Sequence, residues 1–269
     1  MVTGAGAARP EAMPEGDTIM WAATRMRPVL EGRVVEVVHT HARFGHDRWQ
    51  ERLSDHTVTA VETHGKNLFI VFDHGLVLHS HLRMTGLWDV RPEGGRWRRA
   101  PHRAWLVLRA GAHEAVQYDG PVLELITTGR RRFDQRLGAL GPDILAAEFD
   151  AGEFLRRLRG ADQQLMLAEA LLDQRILAGV GNIWKAEGCW EARLDPWRVI
   201  GSLSDAQALA LVGGVRPRML LSGSRGHRAE RARIYGHAGE PCPRCATRIL
   251  ARGQGDQNRI TYWCPGCQH

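Results

Sequence analysis

Two Cys-x-x-Cys pairs near the end of the chain constrain its fold more than any other feature. Eighteen residues separate Cys242 and Cys245 from Cys264 and Cys267. Each pair places two sulfurs on one side of a tight turn, and two facing pairs complete the tetrahedron of a structural zinc site. Because protein sulfurs fill all four positions, such a zinc ion has no open position for a catalytic water. The sequence therefore predicts a small β-hairpin held by zinc; two disulfide bonds are the alternative, and they would require an oxidising compartment.

The segment between the two pairs adds one candidate binding residue. A glycine-rich turn at 253–258 precedes Arg259, which opens a run of β-branched and aromatic residues that ends at Cys264. An arginine near the tip of a hairpin suits phosphate binding, because its planar guanidinium presents several donors in a fixed fork. A solvated arginine is the alternative, and the spacing alone leaves both open.

The charge of the chain favours a polyanionic partner. The 269 residues carry a formal net charge of +6, and the sequence pI is about 9.5. No apolar run approaches the length of a membrane span, and the first dozen residues lack the hydrophobic region of a signal peptide. Cys189, the fifth cysteine, fits a buried thiol in a reducing cytoplasm, where we expect the protein. Only Lys66 and Lys185 among the 36 lysines and arginines are lysines, a bias that directs attention to Lys66.

The pattern of apolar residues predicts an α+β fold with two domains. Residues 1–12 lack periodicity and are expected to be a disordered leader or a non-native start. A leading helix and a β-sandwich are predicted over 13–138, a helical domain over 139–238 and the zinc finger over 239–269. The predicted strands are short runs broken by turn residues: Val34–Val38, Thr57–Val61, Asn67–Phe72, Leu76–Leu82, Trp105–Arg109, Ala115–Tyr118 and Val122–Leu125.

The helical part contains a possible anion site. Helices are predicted at Glu153–Arg159, Gln164–Leu177, Ile183–Cys189 and Ser204–Leu221. The turn Gly179–Asn182 opens the third helix, where free backbone N–H groups and the helix dipole favour a phosphate. An ordinary helix junction with Asn182 as its cap explains the same residues. From composition alone, Pro14 and Glu15 are a proline and an acid typical of a helix start.

Five motifs in order carry a family resemblance. They are Met13–Gly16 (MPEG), His64–Phe69 (HGKNLF), His79–Gly86 (HSHLRMTG), Leu172–Ile183 (LDQRILAGVGNI) and the cysteine hairpin with Arg259 and Thr261. Together they closely resemble the formamidopyrimidine-DNA glycosylase / endonuclease VIII family, and the resemblance runs from residue 13 to residue 269. It implies an N-terminal β-sandwich, a helix–two-turn–helix domain and a zinc finger, with DNA lying in the cleft between the domains.

The resemblance also implies a base-excision mechanism. Pro14, once Met13 is removed, would attack the sugar C1′ and form an iminium, with Glu15 as the acid and base beside it. Lys66 would grip the phosphate of the lesion, and Asn182 and Arg259 would bind flanking phosphates. Elimination from the iminium (β,δ-elimination) then cuts the strand, so that the implied activity is that of a glycosylase and lyase. The implied partner is double-stranded DNA with oxidised bases or abasic sites, and we expect a monomer.

Two features point to the endonuclease VIII branch, which removes oxidised pyrimidines. The segment Ser222–Arg233 is shorter than the stretch that caps 8-oxoguanine in the other branch, and the region around Tyr118 lacks that branch's Arg-x-Phe pair. Arg83 and Met84 match the intercalating loop of the family, and would fill the gap left by an extruded base.

Pro14 is preceded by thirteen residues, and a peptide nitrogen cannot form an iminium. We therefore expect translation to start at Met13. A non-catalytic protein that binds damaged DNA through the same scaffold, with a blocked Pro14, is the alternative. A zinc-ribbon regulator is a third hypothesis, although it would leave Pro14, Glu15 and Lys66 without a role.

Overall fold

The computed structural model describes residues 14–226 and 229–269; the predicted leader at 1–12 lies outside the described residues. The first described element is helix α1 (Gly16–Leu30). Its start is stabilised by Thr18, whose hydroxyl accepts a hydrogen bond from the backbone N–H of Glu15 (3.3 Å). The buried face of α1 carries Ile19, Ala23 and Met26, which recur at helical spacing as the sequence predicts.

The eight strands of the N-terminal part form one antiparallel system in the order β5-β7-β6-β1-β2-β3-β4-β8. They are β1 (Arg33–Thr40), β2 (His56–His64), β3 (Asn67–Phe72), β4 (Leu76–His81), β5 (Leu87–Pro92), β6 (Ala104–Ala110), β7 (His113–Tyr118) and β8 (Val122–Thr127). Strand β1 joins the two halves, because residues 33–35 pair with β2 and residues 36–40 pair with β6, with an irregular register near Val37. Both halves contribute to one core with α1, and the predicted sandwich with a leading helix is confirmed.

Strand β5 was missed by the sequence prediction, although its residues alternate between apolar and charged. Trp88 and Val90 alternate with Asp89 and Arg91, a pattern typical of a strand with one solvated face, yet Asp89 and Arg91 are both buried. Arg25 pairs with Asp89 (3.1 Å), and Glu114 pairs with Arg91 (2.6 Å). Burial of a charge is tolerated when an opposite charge and hydrogen bonds compensate it, and here the partners come from other elements.

The helical part follows strand β8. Its helices are α3 (Thr128–Phe133), α4 (Gln135–Gly138), α5 (Ala151–Gly160), α6 (Leu167–Leu172), α7 (Asn182–Glu191) and α8 (Asp205–Arg225). One short helix, α2 (Trp49–Leu53), lies in the N-terminal part. Short 3-10 segments occur at Ala42–Asp47, Pro101–Arg103 and Ile200–Ser202. Strands β9 (Leu250–Gln254) and β10 (Arg259–Trp263) form the terminal hairpin. None of the helices in the described ranges has the length and apolar character needed to cross a membrane.

The predicted helix Gln164–Leu177 is wrong in its bounds, because α6 covers only its middle. After Leu172 side chains replace the helical hydrogen bonds: Asp173 accepts from the N–H of Arg175 (2.9 Å), and Gln174 donates to the carbonyl oxygens of Leu172 and Val180. Such local bonds compete with helix propagation. The chain is thereby turned towards the start of α7.

Helix α7 lies at the junction of the molecule. Trp184 packs in the helical core, whereas Ala186 and Trp190 pack with Ile234 and the cysteines of the hairpin. Helix α8 packs against α1, which connects the helical part to the sandwich. The first turn of α7 therefore lies where the sandwich, the helical part and the hairpin meet.

Candidate active site

The carboxylate of Glu15 joins the start of α1 to the start of α7. One oxygen accepts a hydrogen bond from the N–H of Ile183 (2.7 Å), and the other accepts from Gly181 (2.9 Å) and Trp184 (3.3 Å). These N–H groups belong to the first turn of α7, where the helix has no internal acceptor for them and where the dipole favours an anion. The turn was predicted to be a phosphate site or a plain junction. In the structure, the anion that these N–H groups bind is the carboxylate of Glu15.

Two glycines allow this close approach. A Cβ atom at Gly181 would lie 2.3 Å from Cδ of Glu15, and a Cβ atom at Gly16 would lie 2.9 Å from Cα of Gly179. The backbone N–H of Gly16 also donates to the carbonyl of Gly179 (2.8 Å). Any side chain at either position would separate the two helix starts.

Burial raises the pKa of the Glu15 carboxyl from 4.5 to about 7. Only 2% of the residue is exposed, and removal of water penalises the charged form. The positive charge of Lys66 and the hydrogen bonds from α7 lower the pKa, whereas the negative charge of Asp17 raises it further. A carboxyl that titrates near neutral pH both donates and accepts protons under cellular conditions.

Lys66 occupies the turn between β2 and β3. Gly65 supplies the left-handed conformation (φ 57°), and its N–H donates to Asp143 (3.0 Å), which anchors the turn to the segment that enters the helical part. The Lys66 side chain is half-buried, and burial lowers its pKa, as does the charge of Arg259, whereas the charge of Glu15 raises it. The charges of Lys66, Glu15 and Arg259 therefore act on one another.

Asn182 contacts the hairpin strand β10, which begins at Arg259. The side-chain amide of Asn182 donates to the carbonyl of Ile260 (2.9 Å), while its own buried carbonyl oxygen has no hydrogen-bond partner among the described residues. Arg259 is half-buried, and its guanidinium Nε donates to the side-chain carbonyl of Gln257 (3.2 Å). In the part of the chain that the structure describes, no carboxylate pairs with Arg259, so its guanidinium is available for an anionic ligand.

Arg83 and Met84 lie on the turn that follows β4, next to the Lys66 turn. The last residue of β4, His81, pairs with Asn67, and the charges of Arg83 and Lys66 both contribute to lowering its pKa to about 4, after the larger effect of burial. Arg83 adopts a left-handed conformation (φ 51°), and Met84 is 57% exposed. Single exposed apolar side chains are common on protein surfaces, so the exposure of Met84 makes it accessible to a ligand and shows no more than that.

The four cysteines of the hairpin cluster as the sequence predicts. Their sulfurs lie within 4.8 Å of one another, with 3.4 Å between Cys245 and Cys264 and 3.9 Å between Cys242 and Cys267. A tetrahedron with metal–sulfur bonds of about 2.3 Å has edges of about 3.8 Å, whereas a disulfide requires about 2.05 Å. The indole N–H of Trp190 points at the sulfur of Cys242 (3.3 Å), a donor that stabilises a thiolate. The donor set fits a tetrahedral metal ion.

Sequence reasoning did not find two residues that organise the site. Asp143 binds the Lys66 turn and also caps its own segment at Leu145 (2.9 Å). Lys185 is buried on α7 and donates to the hydroxyl of Thr261 (2.7 Å). The sequence marks Lys185 as one of only two lysines, but that bias directed attention to Lys66 and gave Lys185 no role. No signal in the sequence distinguishes Asp143 from an ordinary turn residue.

Comparison with known proteins gives matches along nearly the whole described chain. The family model of the formamidopyrimidine-DNA glycosylase N-terminal domain matches residues 13–135, and that of the H2TH domain of the same glycosylases matches 140–222. A probable endonuclease 8 2 of Streptomyces coelicolor is 39% identical over 95% of this chain and 94% of its own length. The DNA-(apurinic or apyrimidinic site) lyase Nei2 of Mycolicibacterium smegmatis is 36% identical over 95% and 99%.

A solved structure shares the fold. The Lactococcus lactis Fpg protein, crystallised with DNA that contains N7-benzyl-Fapy-dG, superposes with a TM-score of 0.79 over 95% of this chain and 100% of that chain. Its sequence identity is 22%, so this likeness concerns the fold.

Proposed function

Because the chain belongs to the formamidopyrimidine-DNA glycosylase family, in its endonuclease 8 branch, we propose that it excises damaged bases and cleaves the resulting abasic site. It is a DNA glycosylase and lyase of base excision repair. Its ligand is DNA that contains lesions or abasic sites. The observation that carries the assignment to this site is the buried carboxyl of Glu15, which titrates near pH 7 directly beside Pro14.

Pro14 is the nucleophile in this proposal. With Met13 removed, its secondary amine has a reference pKa of about 7.7–8.0, so a useful fraction is uncharged near neutral pH. The nitrogen lone pair forms a bond to C1′ of the damaged nucleotide, and the base leaves with the electrons of the glycosidic bond. The Pro14 nitrogen then gives up its N–H proton, which restores its lone pair and balances the proton that the departing base takes up. The nucleotide must be extruded from the stack for this attack, and Met84 is suited to fill the gap.

Glu15 supplies the proton for the next step. The protonated carboxyl delivers its proton to the ring oxygen O4′ as the C1′–O4′ bond breaks, and the Pro14 lone pair completes the C=N bond of the iminium. The resulting carboxylate is held by the N–H groups of α7, which stabilise the charge that this step creates. Loss of a C2′ proton then expels the 3′ phosphate, and loss of a C4′ proton expels the 5′ phosphate.

The cationic side chains around Glu15 bind the phosphates. Lys66 and Arg259 share one electrostatic environment with Glu15, and the guanidinium of Arg259 has no carboxylate partner in the described chain. Asn182, at the start of α7, donates to the backbone of the hairpin at Ile260. This arrangement supports a role for Lys66 at the lesion phosphate, and for Arg259 and Asn182 at flanking phosphates.

We assign zinc to the four cysteines. A four-thiolate set with tetrahedral spacing is typical of structural zinc, and it leaves no position for substrate. Cys242, Cys245, Cys264 and Cys267 would hold the ion, which stabilises the hairpin that carries Arg259.

Oxidised pyrimidines are the proposed lesion class. Helix α8 ends at Arg225, and the N–H groups of Arg233, Ile234 and Tyr235 are bound by the buried carboxylate of Glu187. The chain between the end of α8 at Arg225 and the bonded segment that begins at Arg233 is short, which supports a base pocket without a long capping loop. Excision of 5,6-dihydrouracil should therefore be faster than excision of 8-oxoguanine from otherwise identical duplexes. Faster release of 8-oxoguanine would contradict this assignment.

Borohydride trapping tests the mechanism. Protein whose chain begins at Pro14 is incubated with a duplex that contains one dihydrouracil, reduced, and analysed by mass spectrometry. The expected product is a covalent adduct on the nitrogen of Pro14, because borohydride reduces the iminium to a stable amine.

The matched control retains residues 1–13 and should bind the same duplex without forming the adduct. If a verified free Pro14 amine gives no adduct with either dihydrouracil or an abasic site, the mechanism is wrong. The protein would then be a binding protein for damaged DNA on the glycosylase scaffold.

A further inference from the structure

Lys185, Thr261 and Gln254 form a buried chain of hydrogen bonds between α7 and the hairpin. The ammonium of Lys185 donates to the hydroxyl of Thr261 (2.7 Å), and that hydroxyl donates to the side-chain carbonyl of Gln254 (2.7 Å). The amide of Gln254 donates in turn to the carbonyl of Pro196 (3.1 Å). We call Lys185, Thr261 and Gln254 the hairpin latch.

The chemistry of the three groups fixes the direction of each bond. An ammonium can only donate, so the Thr261 oxygen must accept from it, and the hydroxyl proton must point to Gln254. The exposed fractions of the three residues are 1%, 0% and 6%, so water cannot replace a lost partner. A charge buried at this depth polarises the chain and is costly when its acceptor is removed.

The latch acts on the strand that carries Arg259. Residues two apart in a strand point to the same face, so Thr261 and Arg259 both face α7. The carbonyl of Ile260, between them, accepts from Asn182 on α7. Burial is the largest cause of the lowered pKa of Lys185 and of Lys66, and the positive charge of Arg259 contributes to both, which indicates that the guanidinium lies near the start of α7.

The cysteines cannot provide this positioning alone. Cys264 follows the last residue of β10, whereas Arg259 is the first residue of that strand. Five residues at about 3.4 Å each separate them by about 17 Å. The metal site therefore holds one end of the strand, and the end that carries Arg259 is held by its pairing with β9 and by the contacts of the strand with α7.

We propose that the hairpin latch positions Arg259 for DNA binding, with the Lys185 ammonium as its anchor on α7. Lys185 is too deeply buried to contact a phosphate itself. It holds Thr261, which keeps the strand and its guanidinium at the helix start that also binds Glu15. The inference rests on the proposed function, in which Arg259 binds a phosphate beside the lesion.

Thr261→Val tests the inference, with Thr261→Ser as its matched control. Valine keeps the shape of threonine without the hydroxyl, and serine keeps the hydroxyl. The full-length chain is titrated with a fluorescent duplex that contains a tetrahydrofuran abasic analogue, so that no free amine at Pro14 is required. We expect Thr261→Val to raise Kd about tenfold, the size of one lost charge-assisted hydrogen bond, and Thr261→Ser to bind within about twofold of the unchanged protein.

Zinc content and thermal midpoint are measured in the same samples. Both variants should hold one zinc per chain. A loss of zinc in Thr261→Val alone would show that the hydroxyl serves the metal site, and would overturn the inference. Equal Kd values for Thr261→Val and Thr261→Ser would overturn it as well. Lys185→Met, which keeps the length of the side chain without its charge, should weaken binding as Thr261→Val does.

A double-mutant cycle with Arg259→Ala decides whether the latch acts through Arg259. If it does, Thr261→Val changes Kd by less than about twofold once Arg259 is absent. Independent losses that multiply would overturn the inference and leave the proposed function standing. An unchanged Kd for Arg259→Ala alone would instead remove Arg259 from phosphate binding, and the inference would fall with it.

Discussion

The raised pKa of Glu15 predicts a pH-dependent part of the folding free energy that disappears in Glu15→Gln. The carboxyl binds its proton more tightly in the folded protein, with a pKa of about 7, than at its ordinary value of 4.5. Its contribution to stability is therefore fully present below pH 4.5 and is lost as pH rises through 7. Between pH 5 and pH 8 the calculated loss is about 2.5 kcal/mol, since each pKa unit corresponds to about 1.36 kcal/mol.

The assay is urea unfolding of the zinc-loaded protein at pH 5, 6, 7 and 8. Glutamine has the size of glutamate but does not titrate, and the bonds it loses to Gly181 or Ile183 give an offset that does not depend on pH. We expect the unfolding free energy of the unchanged protein, relative to Glu15→Gln, to fall by about 2.5 kcal/mol from pH 5 to pH 8. Titrating groups that do not interact with Glu15 are common to both proteins and cancel in the difference.

Glu51→Gln is the control, because Glu51 is exposed and pairs with Arg48 at the surface. It should leave the pH dependence close to that of the unchanged protein. If the difference between the unchanged protein and Glu15→Gln is the same at every pH, Glu15 does not titrate near neutrality in the folded state. The acid role proposed for it would then lose its physical basis.

Three further predictions concern the groups around Glu15. Lys66→Met should raise the pKa of Glu15, because the positive charge of Lys66 lowers that pKa. NMR titration of the Glu15 carboxyl measures the shift, and a lower pKa in the variant would contradict the prediction. Arg259→Ala should weaken duplex binding by about 1–3 kcal/mol and reduce the slope of log Kd against log salt concentration by about one. Anisotropy titrations at several salt concentrations measure both, and an unchanged slope argues against a phosphate contact. Removal of zinc should disorder the hairpin and weaken binding at least as much as Arg259→Ala, and full affinity in protein verified to be zinc-free would disprove the structural role.

Much of the fold follows from local patterns in the sequence. The cysteine pairs predict the metal cluster because two short turns are enough to aim four sulfurs at one point. Seven of the eight strands in the first part have the β-branched and aromatic composition of strands, and α8 begins at Ser204 with the capping residues that the sequence shows. These features depend on neighbours within a few residues.

Local patterns fail where the burial or conformation of a residue depends on a partner outside the pattern. Asp89 and Arg91 occur in a strand because Arg25 and Glu114 neutralise them, and the helix predicted at 164–177 stops early because Gln174 reaches across its own turn. The burial of the two charges and the early end of the helix both depend on partners that the local pattern does not show.

The chemistry of the site was decided by the tertiary structure. The sequence places Glu15 beside Pro14, yet the groups that bind its carboxylate lie 166 to 169 residues away, at the start of α7. The same helix holds Lys185 against Thr261, 76 residues further along the chain. A pKa depends on burial and on nearby charges, and a buried hydrogen bond depends on the exclusion of water. Both arise only when the sandwich, the helical part and the hairpin close around one helix start, so no local sequence pattern encodes them.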